Sequence, residues 1–463
     1  MAIMSHGVER RSPRRPNILV IFTDQERYAV HLPPMERPHF ERLRRQAIEF
    51  TSHSCVDPVC SPARAVLLTG LYPHQSGVVE NVESLEQIDA GFRAKVAGPA
   101  LDPRHATIAS VLAAAGYGTA WFGKWHLGPR TTACLARHGF AHAYVPEGED
   151  NALLYDEPTA MQAVEWLMTR AESSPWLAFV SLVNPHDIHY ERRWAHRVVP
   201  ERSIAVPPNA ADDLTRSPIP EVRQYATLQQ RWALAKYGTW EQYRRRYCYL
   251  IEQTDVLLGR VLDALDRSGA TADTLILYTS DHGDMSGAHG AAAKRFLYEE
   301  SIHVPLLIVP PGGGPARTVR ALTSHLDVAP TLAGVAGAEW PAPLRGRDLF
   351  AVSRDTGAGD DAVFGFSNFP PRTLPQVVAD FARMVRAGRW KYVVYPSGGE
   401  QLFDLIDDPY EMVDRSMDPA LRTVKQELSD RLIEESAAVA RLQAVRLLQA
   451  GRRARAAAPE VRQ

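Results

Sequence analysis

Five short apolar runs recur along the chain. They read NILVIFT at Asn17–Thr23, GTAWF at Gly118–Phe122, WLAFVSLV at Trp176–Val183, TLILYTS at Thr274–Ser280 and VPLLIV at Val304–Val309. None alternates apolar with polar positions, so each predicts a strand buried on both faces, as in a parallel sheet. Between them, Ile108–Ala115, Met161–Ala171 and Trp240–Arg267 have helical spacing. The last carries an apolar stripe at Tyr247, Leu250, Ile251, Val256, Leu257 and Val261. Strands alternating with helices predict an α/β fold with a large, mostly parallel mixed sheet flanked by helices. Ligands collect beyond the carboxyl ends of such strands. Four of the runs end there on polar or ionisable residues: Asp24 and Gln25, Lys124 and His126, His186, and Asp281 with His282.

The pattern changes after about residue 350. Met384–Ala387 and Trp390–Tyr395 flank Gly388-Arg389 and predict a β-hairpin, with Gln401–Ile406 as a further strand. Residues 420–450 have a long helical pattern, with Leu432, Ile433, Val439, Leu442, Val445 and Leu448 as its apolar positions. The expected division is a flexible basic tail over 1–15, a catalytic domain over 16–350, and a smaller α+β subdomain over 351–463 with a small antiparallel sheet and a long helix. Residues 197–235, rich in Pro and polar side chains, read as an inserted loop region. The stretches 79–105, 187–243 and 364–380 are the expected substrate rim, because loops at strand ends vary with the ligand. The run Gly312-Gly313-Gly314 lacks a following Lys-Ser/Thr and is a turn, not a nucleotide loop.

Composition narrows the class. Of 463 residues, 45% are hydrophobic and 23% charged, which fits a globular protein and excludes a disordered or collagen-like one. Lys and Arg number 52 against 54 Asp and Glu, for a net charge of -2. That balance gives no reason to expect a nucleic-acid partner, and Arg10–Arg15 and Arg452–Arg455 read as solvated tails. Four cysteines in so long a chain exclude a disulfide scaffold. No apolar run reaches the about 18 residues of a membrane span, and none has the form of a signal peptide. The expectation is a cytoplasmic protein with no membrane partner. The oligomeric state is not legible.

The chemistry centres on Pro58-Val59-Cys60-Ser61-Pro62-Ala63-Arg64, which continues to Gly70. Its core is Cys-x-Pro-x-Arg. A thiol here opens a helix-like run, where free backbone N–H groups favour negative charge. Arg64, four residues on, can offer a rigid fork to an oxyanion. Asp24 and Asp281 are hard oxygen ligands for Ca²⁺ or Mg²⁺.

The segment around Cys60 resembles the type I sulfatase motif of the alkaline phosphatase superfamily. Gly116–His126 and Ser280–Asp284 resemble further segments of that family, and Gln401–Glu411 its C-terminal subdomain. The resemblance runs from Pro16 to about Glu411. It implies an alkaline-phosphatase-like fold and hydrolysis of a sulfate monoester to an alcohol or phenol and inorganic sulfate. It implies that Cys60 is converted to formylglycine by a formylglycine-generating enzyme, and that the hydrated aldehyde is the nucleophile. Arg64 would then steady the diol and the sulfate. Lys124 would bind sulfate and His126 would deprotonate the diol. His186 and Lys294 would bind sulfate and protonate the leaving oxygen. Asp24, Gln25, Asp281, His282 and residue 60 would hold one divalent ion. Ca²⁺ is the first expectation, with Mn²⁺ or Mg²⁺ as alternatives. Gln25 stands where the family has a second acid, and His282 brings an imidazole into the shell. Both features also fit a phosphonate monoester or phosphodiester hydrolase on the same scaffold. His289, in the loop before Lys294, reads as structural.

Overall fold

The computed structural model describes residues 15–28, 32–82, 99–146, 151–170, 175–189, 199–355, 361–369 and 380–438. The 1–14 part of the basic tail, the 439–450 part of the last helical pattern with the Arg452–Arg455 stretch after it, and the rim stretches 83–98, 190–198 and 370–379 lie outside them.

The strands, in chain order, are β1 (Asn17–Asp24), β2 (Ile48–Phe50), β3 (His53–Ser54), β4 (Gly118–Gly123), β5 (His142–Tyr144), β6 (Trp176–Pro185), β7 (Thr274–Ser280), β8 (Leu306–Val309), β9 (Arg317–Val319), β10 (Thr323–Ser324), β11 (Ala362–Ser367), β12 (Ala382–Ala387), β13 (Trp390–Val394) and β14 (Glu400–Asp404). Eight form the main sheet in the order β5-β4-β6-β1-β7-β8-β2-β9. All five predicted apolar runs are strands of it. β1 lies between β6 and β7, parallel to both. Successive residues of β1 feed two cores. Ile18, Val20 and Phe22 pack with Leu67, Leu68, Ile108, Leu112 and Leu332. Leu19 and Ile21 pack with Phe40, Ala160, Ala163, Leu258 and Leu262. Helices thus cover both faces, which is why β1 shows no alternation.

One direction differs from expectation. β8 runs antiparallel to both β7 and β2. Its residues are buried throughout, and a two-sided apolar run reports burial, not direction. The predicted inserted loop is also corrected in part. Pro220–Tyr237 is a helix with Pro in its first turn, burying Val222, Tyr225, Ala226 and Ala233. Its polar residues form an outer face, and composition alone hid the stripe. The helix predicted at Met161 begins earlier, at Ala152. Trp240–Arg267 is helical as predicted, although Val256 is exposed.

The second sheet is antiparallel, β11-β12-β13-β14. Ala387 pairs with Trp390 across a two-residue turn whose Gly388 has φ 55°. A helix over 422–438 lays Leu428 and Leu432 on Val385, Tyr392 and Leu402, while Ile433 faces solvent. Glu435 on that helix accepts from the Tyr72 hydroxyl at 2.8 Å and pairs with Arg345, tying the second sheet to the first. Among the described residues, no helix is long and apolar enough to cross a membrane.

Candidate active site

The carboxyl ends of β1, β4, β6 and β7 meet the start of one helix. That helix is Cys60–Thr69, buried along its whole length. Val59 precedes it in extended conformation with no side-chain cap, and Gly70 closes it at φ 62°. Cys60 is therefore the first helical residue; the next amide, Ser61, is capped from outside the helix by Asn81 Oδ1 at 3.1 Å.

Arg64, one turn in, lies beneath the thiol with its fork fully engaged. Nε donates to Asp281 Oδ2 at 3.0 Å and Nη2 to Asp24 Oδ2 at 2.9 Å. Nη1 donates to the Lys124 carbonyl at 2.8 Å and to Ser181 Oγ at 2.9 Å. In this geometry Arg64 is a strut between the two strand-end carboxylates. Lys124 Nζ adds a second cation at 2.9 Å from Asp24 Oδ2.

Asp24, Cys60, Asp281 and His282 converge, each offering a ligand atom within 4.8 Å of the others. His282 Nδ1 donates to the Gly283 carbonyl at 2.9 Å, which leaves the Nε2 lone pair for the cluster. Nε2 is 3.3 Å from Cys60 Sγ, 3.7 Å from Asp24 Oδ1 and 3.6 Å from Asp281 Oδ1. Two carboxylate oxygens, an imidazole nitrogen and the residue-60 side chain aimed at one buried point fit a divalent ion. Gln25 contributes differently from the sequence expectation. Its backbone N–H donates to Asp281 Oδ1 at 3.0 Å, but its carboxamide is committed to Asp284 (2.6 Å) and His189.

The electrostatics are those of a buried carboxylate pair. Burial works to raise Asp24, but Lys124, His186, Arg64 and Lys294 outweigh it and hold its carboxyl well below the usual range. Asp281 is pushed up to about 7 by burial and then by the Asp24 charge. Burial, with Lys294 beside it, keeps His282 neutral. Burial, reinforced by Asp24, pushes the Cys60 thiol up to about 12 against the pull of Lys294 and Lys124.

Lys294 reaches in from the loop after β7, with Nζ 2.7 Å from Cys60 Sγ and 3.1 Å from His282 Nε2. His126 lies just beyond β4, and its carbonyl accepts from Ser61 Oγ at 2.6 Å, next door to Cys60. His186 opens the short turn His186–His189 after β6. Asp156, from the neighbouring helix, accepts from the Val183 and Asn184 amides at 2.6 and 2.9 Å and pins that strand end. Every predicted catalytic residue thus lies at this one sheet edge.

The loops that hold these groups are strained. Among the described residues, seven non-glycine positions have positive φ: Gln25, His126, Ser286, His289, Ala293, Arg295 and Glu411. All but the last belong to segments that deliver the site, as expected where a constellation is over-determined by its surroundings. Gly123, at φ 98°, is there for close approach: a Cβ would meet the Ser181 carbonyl at 2.0 Å.

Sequence reasoning missed His189, Ser181, Asp156 and the roles of Asp284 and Tyr243. His189 left a signal, a second histidine three residues after His186. Asp156 and Ser181 left none, because their function is contact across elements.

Comparison with known proteins agrees with the geometry. The sequence model of the Sulfatase family matches residues 16–338, and that of the N-sulphoglucosamine sulphohydrolase C-terminal region matches 287–438. An ulvan-active sulfatase of Formosa agariphila is 28% identical, covering 92% of this chain and 81% of that protein. Arylsulfatase K of Bos taurus is 26% identical, covering 90% and 83%. The crystal structure of a phosphonate monoester hydrolase of Agrobacterium radiobacter superposes with a TM-score of 0.74 at 25% identity, covering 92% of this chain and 96% of that one.

Proposed function

We propose a chemistry that starts from one fact: this chain belongs to the sulfatase family and is a hydrolase of sulfuric ester bonds. The observation that carries the proposal is the convergence of Cys60, Asp24, Asp281, His282 and Lys294 at the sheet edge. The substrate is a sulfate monoester, released as an alcohol or phenol and inorganic sulfate. Formylglycine at position 60, made by a formylglycine-generating enzyme, supplies as its hydrate the hydroxyl that attacks sulfur. Asp24, Asp281, His282 and the residue-60 side chain would hold a divalent ion, Ca²⁺ first, which would supply Lewis acidity at this point.

The chain's own residues do the rest. Arg64 holds Asp24 and Asp281 at fixed separation. Lys124 and Lys294 place ammonium charge where the sulfuryl oxygens gather electron density. His186, with Lys294, protonates the leaving oxygen, and His126 takes the proton that releases sulfate. The unmodified thiol supports the need for maturation. Burial pushes that thiol up to about 12, which makes it a poor nucleophile near pH 7.

Mass spectrometry of the Cys60 peptide, on protein co-expressed with a formylglycine-generating enzyme, tests the proposal. An aldehyde at residue 60, and turnover of an aryl sulfate lost in Cys60→Ala, are expected; an unmodified thiol with full turnover would refute it. A second reading, phosphonate monoester hydrolysis, is favoured by His282 in the cluster and by the likeness to the Agrobacterium enzyme. Parallel kcat/KM values on an aryl sulfate and an aryl phosphonate decide between them, and the sulfate is expected to win.

A further inference from the structure

Gln25 adjoins Asp24, yet its carboxamide faces other partners. Its backbone is fixed on two sides, N–H to Asp281 Oδ1 at 3.0 Å and C=O from the Tyr247 hydroxyl at 2.6 Å, in the left-handed region at φ 77°. Nε2 is 2.6 Å from Asp284 Oδ2, and Oε1 is 3.1 Å from His189 Nε2. Asp284 also takes the Tyr243 hydroxyl at 3.0 Å and the Ser286 amide at 2.7 Å. A carboxylate only accepts, so the NH₂ of Gln25 must face Asp284, and the amide as a whole lies against His189 Nε2, with Nε2 at 3.0 Å and Oε1 at 3.1 Å.

His189 is half-buried. Its ring centroid is 5.1 Å from that of His186 and 5.1 Å from that of Trp232. Trp232 belongs to the helix Pro220–Tyr237, which is tied to the same turn: Lys236 Nζ and the Tyr237 hydroxyl both donate to the Ile188 carbonyl, at 2.7 and 2.6 Å. The Lys236 ammonium sits 5.3 Å from the Trp232 ring and 5.1 Å from the Tyr237 ring.

We propose that Gln25 is a positioning residue, clamping Asp284 to His189 so that His189 and Trp232 form the wall that meets the organic half of the substrate. The wall lies beside His186, the residue placed at the leaving oxygen, and the inference rests on that reading. Its chemistry selects a class. Aromatic and imidazole faces stack on a ring, either a phenyl group or the C–H face of a sugar. Lys236 disfavours positive charge next to them. The structure thus assigns to this wall ring-bearing esters without a cationic group, in preference to small quaternary ammonium esters.

The test uses the matured holoenzyme and the variants Gln25→Asn, His189→Ala and both together. Asn keeps the amide, suits the left-handed backbone and falls one methylene short of the clamp. Metal content by mass spectrometry should equal wild type in all three. Nitrogen-15 NMR of histidine-labelled protein should show a His189 Nε2 signal that vanishes in His189→Ala and shifts in Gln25→Asn. KM for 4-nitrophenyl sulfate should rise about tenfold in each single variant, the scale of one hydrogen bond, with kcat nearly unchanged, and the double variant should go no further. Wild type should prefer that ester to choline sulfate. Loss of metal in Gln25→Asn would make Gln25 a ligand and overturn the clamp, as would additive KM effects. A wild type with metal and a His189 Nε2 signal that shifts in Gln25→Asn, but no sulfate-ester turnover, supports the clamp and refutes the sulfatase reading instead.

Discussion

Two buried charge clusters in this molecule have nearly the same inventory. One is the site, where Asp24 and Asp281 meet Arg64 and Lys124. The other joins the two sheets, where Glu299 and Glu411 meet Lys391 and Arg386. Each has one depressed and one raised carboxyl. Burial opposes ionisation of Glu299, but Arg386 and Lys391 hold it at about 2. Glu411 is pushed up to about 7 by burial, against Lys391 and with the charge of Glu299 adding to it, much as Asp281 is beside Asp24. A census of charge and burial does not separate the two. What separates them is the direction of the lone pairs. In the site an imidazole nitrogen and a thiol turn toward the point the carboxylates share, and Lys294 crowds in from the far side. In the other cluster each cation lies directly on a carboxylate, Lys391 Nζ at 2.5 Å from Glu411 and 3.1 Å from Glu299.

The sharpest way to break the comparison is to remove one cation from each. Lys294→Met should lower kcat by about 10²–10³, the scale of one lost electrostatic stabiliser, with little change in melting temperature, since Lys294 has its nearest contacts with neutral groups. Lys391→Met takes the cation from buried Glu411 and leaves Glu299 with Arg386 alone, and should cost about 3–5 kcal/mol of stability, with kcat per folded molecule unchanged. Chemical denaturation and active-site titration measure both arms. A Lys294→Met protein that unfolds easily and keeps its kcat would erase the distinction.

A smaller effect separates the regions by pH. His325 lies beneath the site, with Nε2 3.0 Å from the Ser280 carbonyl, and burial lowers its pKa to about 4. The unfolded value is near 6.5, so the unfolded chain takes up the proton first. The stabilisation is present above about pH 6.5 and disappears as pH falls through about 4, on the order of 3 kcal/mol in all. Glu411 has the opposite sign: its folded pKa is raised, so its contribution is full below about 4.5 and disappears as pH rises through about 7. Melting curves between pH 7 and 4 should flatten in His325→Gln, which keeps a donor but cannot charge. An unchanged acid limb would relieve His325 of that role.

The two regions also differ in how they were legible. Five apolar runs predicted five strands of the main sheet, because burial on both faces leaves an unmistakable mark on composition. The polar residues after those runs were expected together and lie together, because a parallel sheet delivers its strand ends to one edge. Direction was not legible for β8, nor was the helix Pro220–Tyr237 behind its polar face. Arg64 shows the further limit. Its spacing from Cys60 is visible in sequence, but its commitment to Asp24 and Asp281 depends on strands 40 and 217 residues away. Gln25 shows it again: adjacency to Asp24 suggested a ligand, and only the fold reveals Asp284 and His189 as its partners. The charge network between the sheets left no sequence signal at all, since Glu299, Lys391 and Glu411 meet only in three dimensions.

The smallest effect tests whether strain belongs to the site. Ala293 precedes Lys294 at φ 62°, while Gly388 turns the β12–β13 hairpin at φ 55°. Similar backbone conformations carry opposite residue choices. An L-residue in this region costs roughly 1–2 kcal/mol, which glycine does not incur, though glycine loses more freedom on folding. Ala293→Gly should therefore gain about 0.5–1 kcal/mol of stability, and Gly388→Ala should lose about 1. The gain should carry a price in catalysis. A glycine at 293 widens the range open to Lys294, whose Nζ must stay near residue 60, so kcat should fall severalfold while Gly388→Ala leaves it unchanged. Equilibrium unfolding and aryl sulfate kinetics on the two variants read out both quantities. If Ala293→Gly stabilised the protein with no change in kcat, the left-handed residues around Lys294 would be an accident of chain routing and not part of how the site holds its lysine in place.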